Sequence, residues 1–370
     1  MNLLDRYLAR EILLPFAAGV LFLTQLLLAT QILSQAKVLF GSAVSFADVG
    51  AVILFMMPHF LGYVLPIAFL LGAVLGVGRL SEDREIVALG AAGISTARLV
   101  PVPLVLAAVV GAAGVWLAAD VEPAALEAAR ARLVEIVKRN VRNDVRAGTF
   151  YEQISGYMLY AERVKDGAWE NVLVSDRSDP AAAVLAFAGR GRLEPLDGGQ
   201  DMRLVLEDGE VHREDAATDD YVVAQFQKGE VVLGIGSVFA DKSALIRTSL
   251  DSPAELIRAA EEARARGEVA QARKLEATAH RKLSSPLAVL PFALLAVPLG
   301  AARRSGRASG IGATIALVVS HYILLRLGEV LAQRGLVPAA LSLQLPNLVL
   351  AALGLALVVL QARRGPGTAR

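Results

Sequence analysis

The chain has 370 residues, a formal net charge of +1, 55% hydrophobic and 20% charged residues, and a mean hydropathy of +0.51. So many apolar and charged side chains in one chain exclude a uniform soluble globule and require segregation into a membrane part and a soluble part. With no cysteine, disulfides, thiolate metal sites and cysteine nucleophiles are excluded, and without a Gly-Lys dipeptide there is no P-loop for ATP.

A helix needs about 20 apolar residues to cross the hydrocarbon core, where backbone groups must be satisfied internally. In chain order, six stretches qualify: Ile12 to Leu33, Val49 to Val77, Leu99 to Ala119, Leu283 to Ala302, Ile311 to Leu331 and Ala339 to Leu360. The predicted organisation is a transmembrane half over residues 1–119, an inserted polar domain over 120–283 and a second transmembrane half over 284–370. Asp5, Arg6, Arg10 and Glu11 precede a first span too long for a cleavable signal, so that span should remain in the protein.

In the first span, Thr24, Gln25, Thr30 and Gln31 make a polar stripe towards a cavity or another helix. Pro58 and Pro66 predict a bent second span, and Gly72 and Gly76 form a GxxxG that permits close helix packing. Between the second and third spans lies a charged island, Gly78 to Ser95. Ser81 reads as its N-cap, Glu82, Asp83 and Glu85 suit a helix N-terminus, and Gly93 suits the end. Ile86 and Leu89, at i and i+3, predict an apolar edge that either docks a partner protein or rests on lipid headgroups.

Lys and Arg concentrate in loops on the cytoplasmic side. Arg6, Arg10, Arg79, Arg84, Arg98, Arg303, Arg304, Arg307, Arg363, Arg364 and Arg370 flank one side, against only Lys37 and Arg334 in the opposite short loops. This places the termini and the island in the cytoplasm and the polar domain outside.

Within the polar domain, Pro123 to Arg142 should carry the third span outward as a helix. From about Val145 to Ile246 a period of two predicts an antiparallel β-domain, a sandwich or a jelly roll. Met202, Leu204 and Leu206 alternate with Arg203 and Glu207, and Val222, Ala224 and Phe226 with Gln225 and Gln227. Asp166-Gly167, Asp197-Gly198-Gly199 and Asp208-Gly209 read as turns. Ser252-Pro253-Ala254-Glu255 reads as a capping box opening a helical stretch that Gly267 breaks in two.

In the fifth span, Arg326 and Glu329 stand at i and i+3, either as a pair that snorkels to the interface or as a polar patch facing a cavity. Ser320-His321 opens the alternative of an intramembrane hydrolase, although no GxSxG elbow accompanies it. The four histidines share no ligand spacing, so no metal site is expected. A membrane-anchored scaffold is the third reading.

Several segments together resemble the LptF/LptG permease family of the lipopolysaccharide-export ABC transporter: Asp5-Arg6-Tyr7-Leu8-Ala9-Arg10-Glu11, the island, Gly148-Thr149-Phe150-Tyr151, His280-Arg281-Lys282-Leu283, Arg304-Ser305-Gly306-Arg307 and Leu345-Pro346-Asn347. The first span and Ala296-Val297-Pro298-Leu299 look more like LptF than LptG. The resemblance implies an α-helical inner-membrane protein with six spans, three on each side of a periplasmic jelly-roll-like β-domain. It implies a non-catalytic subunit without a cofactor of its own. Its partners would be an LptG-like permease, a cytoplasmic LptB-like ATPase dimer, a periplasmic LptC/LptA-like bridge and lipopolysaccharide. On this chain the island, about residues 80–92, would be the coupling helix, with Glu85 its key contact and Ser81, Glu82, Asp83, Arg84, Ile86 and Leu89 alongside. Arg304 and Arg307 would flank the same surface. Thr24, Gln25, Gln31, Lys37, Arg326 and Glu329 would line the cavity or its gate. The family often has several basic residues at the outer end of the first span where this chain offers only Lys37, and often Pro where it has Arg303.

Overall fold

A computed structural model of the chain describes residues 3–34, 45–144, 147–151, 156–165, 167–177, 184–195, 202–215, 220–233, 251–301 and 307–364. Lys37, Arg303, Arg304, Asp166 and the Asp197-Gly198-Gly199 turn lie outside these residues. The chain folds as two compact units, one of Met1–Ala29, Met56–Leu126 and Leu250–Arg370, the other of Thr30–Phe55 and Glu127–Ser249.

Among the described residues, six helical segments are long and apolar enough to cross a membrane: Leu3–Leu33, Phe46–Glu82, Thr96–Leu133, Val269–Gly300, Gly310–Gln333 and Ala339–Arg363. Helix α1 is Leu3–Ser34 and α2 Phe46–Glu82; the short α3 is Glu85–Ala91. A 3₁₀ turn at Thr96–Leu99 leads into α4, Pro101–Trp116. A π-helical turn at Leu117–Val121 joins α4 to α5, Glu122–Asp144, so the third span does continue as a helix past its apolar stretch. After the β-domain come α6 (Pro253–Ala265), α7 (Val269–Leu287) and α8 (Val289–Gly300), then α9 (Arg307–Gln333) and α10 (Ala339–Arg364). The fourth span therefore begins well before Leu283, as a helix that Pro286 interrupts only at Ala288. Helices α6 and α7 belong to the same compact unit as the other helices from Leu250 onward.

The core of the helical unit gathers Leu8 and Ile12 of α1, Phe69, Leu70, Val74 and Val77 of α2, and Val289, Phe292 and Leu295 of α8. Helices α1 and α2 approach closely because Gly72 and Gly76 carry no side chain. A Cβ at Gly72 would lie 2.7 Å from the backbone nitrogen of Phe16, and one at Gly76 2.6 Å from the carbonyl oxygen of Glu11. Gly76→Leu should force the helices apart at a cost of about 1–3 kcal/mol, the usual range for overpacking. A lowered unfolding midpoint in detergent checks this; an unchanged midpoint would show that the seam can give way.

The capping box forms as the sequence predicts. The Ser252 backbone N–H donates to Glu255 at 2.7 Å, and Glu255 N–H donates back to Ser252 Oγ at 3.3 Å. Gly267, at φ +80°, closes α6, with Glu268 N–H donating to the carbonyl of Ala263 and Gly267 N–H to that of Arg264. The hydrogen bond from Ser252 holds the Glu255 carboxyl below its ordinary pKa. A depressed carboxylate pKa adds stability that is complete above the ordinary value and is lost as pH falls through the depressed one. Protection of the amides at the start of α6, measured against their intrinsic exchange rates at each pH, should therefore fall below about pH 4.3, the ordinary glutamate value, and Glu255→Gln should abolish that pH step; a step that survives would mean that another group causes it.

Among its described residues the β-unit holds six antiparallel strands in sequential order: β1 Thr149–Tyr151, β2 Tyr157–Lys165, β3 Ala168–Asp176, β4 Val184–Pro195, β5 Met202–Asp215 and β6 Asp220–Leu233. The predicted antiparallel domain is present; among the described residues its strands form one sheet without a crossover. Gly167, at φ +80°, turns β2 into β3 as predicted. Asp208-Gly209 is not a turn but lies inside β5. Pairing skips one position in each ladder there: Glu162 with Asn171, Asn171 with Gly189, Gly189 with Asp208, and Asp208 with Gln227. Asn171 and Asp208 take φ of 51° and 54°, the left-handed region that short polar side chains tolerate. The result is a crease across five strands that shifts which residues face the core. On β5 that face changes from Leu204 and Leu206 to Val211, and on β6 from Phe226 to Val231. Val222 and Ala224, expected on an inward row, are exposed.

Candidate functional site

Helix α2 does not stop where the island begins. It runs through Ser81 to Glu82, so Ser81 is not an N-cap, and its hydroxyl faces the carbonyl of Ala301 at 3.5 Å. The chain reverses at Asp83 and Arg84, where Arg84 sits at φ 61° and precedes α3 without a side-chain cap. The far end matches expectation. Gly93 takes φ +80°, Ile94 N–H donates to the carbonyl of Leu89 at 2.9 Å and Gly93 N–H to that of Gly90 at 3.0 Å, which closes a seven-residue helix in a Schellman motif.

The apolar edge of α3 faces inward. Ile86 is 8% exposed within the helical core, and Leu89 packs against the same cluster. Ile86 thus anchors the island to its own chain, and half-buried Leu89 packs beside it. The exposed side carries Glu82, Asp83, Arg84, Ala88, Ala91 and Ala92, a face of charges and small residues.

Glu85 lies between the two faces, with its Oε1 accepting from the Tyr7 hydroxyl at 2.9 Å. Arg79, one turn before the end of α2, pairs with Glu11 at 2.9 Å and with Asp83 at 3.7 Å. Arg98, in the 3₁₀ turn after α3, pairs with Asp5 at 3.0 Å. Beside this cluster an open groove of about 420 Å³ runs between α1, α2 and α9, lined by Glu11, Leu14, Pro15, Ala18, Arg79 and Gly310 among others. Tyr7, Asp5, Glu11 and Arg98 were not singled out as site residues by the sequence. The available signal was a set of polar side chains on the otherwise apolar end of α1.

The cavity and gate candidates are placed unevenly. Thr24 is buried, Gln25 exposed and Gln31 half-buried. Arg326 pairs with Glu329 at 2.7 Å and its Nε–H donates to the Tyr322 hydroxyl oxygen at 3.0 Å, its guanidinium lying 5.2 Å from that ring. Arg307 starts α9. The first and fifth spans are the least buried of the six, at 17% and 22% of their apolar windows.

Ser320 and His321 turn away from each other. The Ser320 hydroxyl donates to the carbonyl of Ala316 at 2.8 Å, as a helical serine commonly does, whereas buried His321 faces Asn347 at 3.1 Å. This geometry has no activated nucleophile, and the hydrolase reading fails on it.

Six apolar helices, a short amphipathic helix between the second and third, and an inserted antiparallel β-domain define a multi-pass transmembrane protein of the permease type. The chain matches the family described as lipopolysaccharide export system permease LptF/LptG over residues 6–359, and it belongs to that family. No curated protein matches it.

Proposed function

We propose that the chain is a non-catalytic subunit of an ABC transporter that extracts lipopolysaccharide from the inner membrane and passes it to a periplasmic bridge. The observation that carries this reading is membership of the export-permease family over nearly the full length. The arginine distribution supports cytoplasmic termini and a cytoplasmic α3, with the β-unit in the periplasm.

Without a P-loop of its own, the chain takes its energy from a cytoplasmic ATPase dimer. The exposed side of the island, with Glu82, Asp83 and Arg84 before α3 and Glu85 at its first position, is the docking face, while Ile86 and Leu89 hold the helix in place from behind. A paralogous permease covers the weakly buried first and fifth spans and encloses the lipid cavity, to which Thr24, Gln25, Arg326 and Glu329 contribute. The β-unit hands the lipid on through edge pairing with the bridge.

Co-expression with a paralogous permease, the ATPase and the bridge proteins tests the reading. The complex should co-purify, and after reconstitution it should release lipopolysaccharide to the bridge only when ATP is supplied. A complex that never forms, or release that ignores ATP, would refute it.

A further inference from the structure

In sequence α3 lies between α2 and α4, so a push on it would be thought to move the second and third spans. The side chains connect it elsewhere. Three residues from the N-terminal end of α1 reach three successive points along the island and the turn that follows it: Glu11 to Arg79 before α3, Tyr7 to Glu85 at its first residue, and Asp5 to Arg98 after it. The carboxylates of Asp5 and Glu11 are only 15% and 14% exposed, so solvent and salt screen these pairs less than ordinary surface pairs.

We infer that Asp5, Tyr7 and Glu11 are positioning residues that clamp the first span to the coupling helix, so that displacement of α3 is delivered to α1. Two further observations favour α1 as the element that moves. The glycine seam at Gly72 and Gly76 brings its backbone against α2 just above the clamp and gives it a contact point on which to tilt. Above that seam it is the least buried of the spans, with little of its own chain to hold it in place. The clamp thus joins the driven helix to the least buried span.

This inference rests on the proposed role of α3 in ATPase docking. The test uses the full complex of both permeases and the ATPase in nanodiscs, with Asp5→Arg, Arg98→Asp, the two combined as a charge swap, and Tyr7→Phe. Each single variant should keep the ATPase bound and hydrolysing ATP, while lipid extracted per ATP falls about fivefold or more, the scale of one weakened ion pair or charge-assisted hydrogen bond. The charge swap should restore the ratio, which loss of folding would not do. An unchanged ratio in the single variants, or a swap as poor as either parent, overturns the clamp. A second readout does not depend on transport: spin labels on α1 and α3 of the purified chain should give a narrow distance distribution that broadens in the single variants and narrows again in the swap. If the wild-type complex neither docks the ATPase nor extracts lipid, the proposed function fails, and the distances alone decide the clamp.

Discussion

Glu85→Ala should detach the ATPase from the permease while leaving the chain folded and inserted. Within the chain Glu85 makes one half-exposed hydrogen bond, from Tyr7, and adds a favourable charge at the start of α3. Together these contribute about 1–2 kcal/mol to folding. Across a docking interface the same carboxylate would make charge-assisted bonds of about 1.5–3 kcal/mol, which corresponds to roughly tenfold to hundredfold weaker association when they are lost. Glu85→Gln separates the two effects, because an amide can still accept from Tyr7 but carries no charge. In a pull-down at graded ATPase concentration both variants should lose binding, and in a thermal unfolding series the glutamine variant should shift less than the alanine variant, because it keeps the bond from Tyr7 and loses only the charge. Normal binding and export by Glu85→Ala would remove Glu85 from the interface.

The six spans, the outward continuation of the third helix, the capping box and the antiparallel domain were all legible because each depends on local pattern: a long apolar run, a turn of Ser-Pro-Ala-Glu, an alternation of two. The GxxxG seam was also legible, since only Gly lets Phe16 and Glu11 approach so closely. The misreadings share a different cause. At Ser81 and at Asp208-Gly209 a local signal for a break lies inside an element that tertiary contacts continue, a helix in one case and a strand in the other. At Ile86 and Leu89 the spacing marked an apolar edge, and the chain's own core buries Ile86 and half-buries Leu89, a contact that spacing alone does not reveal. The partners Tyr7, Asp5 and Glu11 lie more than seventy positions from Glu85, Arg98 and Arg79 or close to it, and no single sequence window contains both ends of such a contact.

Asn347→Leu should be the most damaging single change among the buried polar residues of the C-terminal spans. The Asn347 amide donates to the carbonyl of Ser284 at 3.0 Å, to Ser284 Oγ at 3.2 Å and to Gln344 at 2.8 Å, and its oxygen faces His321 Nε2 at 3.1 Å. Ser284 in turn donates to the carbonyl of Leu343 at 2.5 Å. One side chain thus ties α7, α9 and α10 together beside Pro346, which has no N–H to give to the helix. Interhelical hydrogen bonds in membranes average only about 0.6 kcal/mol each. Removing the hub, however, leaves Ser284 and His321 buried and lacking this partner, which brings the expected cost to about 2–3 kcal/mol. The decisive measurement is a double-mutant cycle with His321→Phe, read from unfolding in mixed micelles. If Asn347 is the hub, the second substitution costs less once the first is made, because the bond between them is already gone. Strictly additive losses would mean that the two residues stabilise the helices independently and that α9 is held by its apolar contacts with α10 alone.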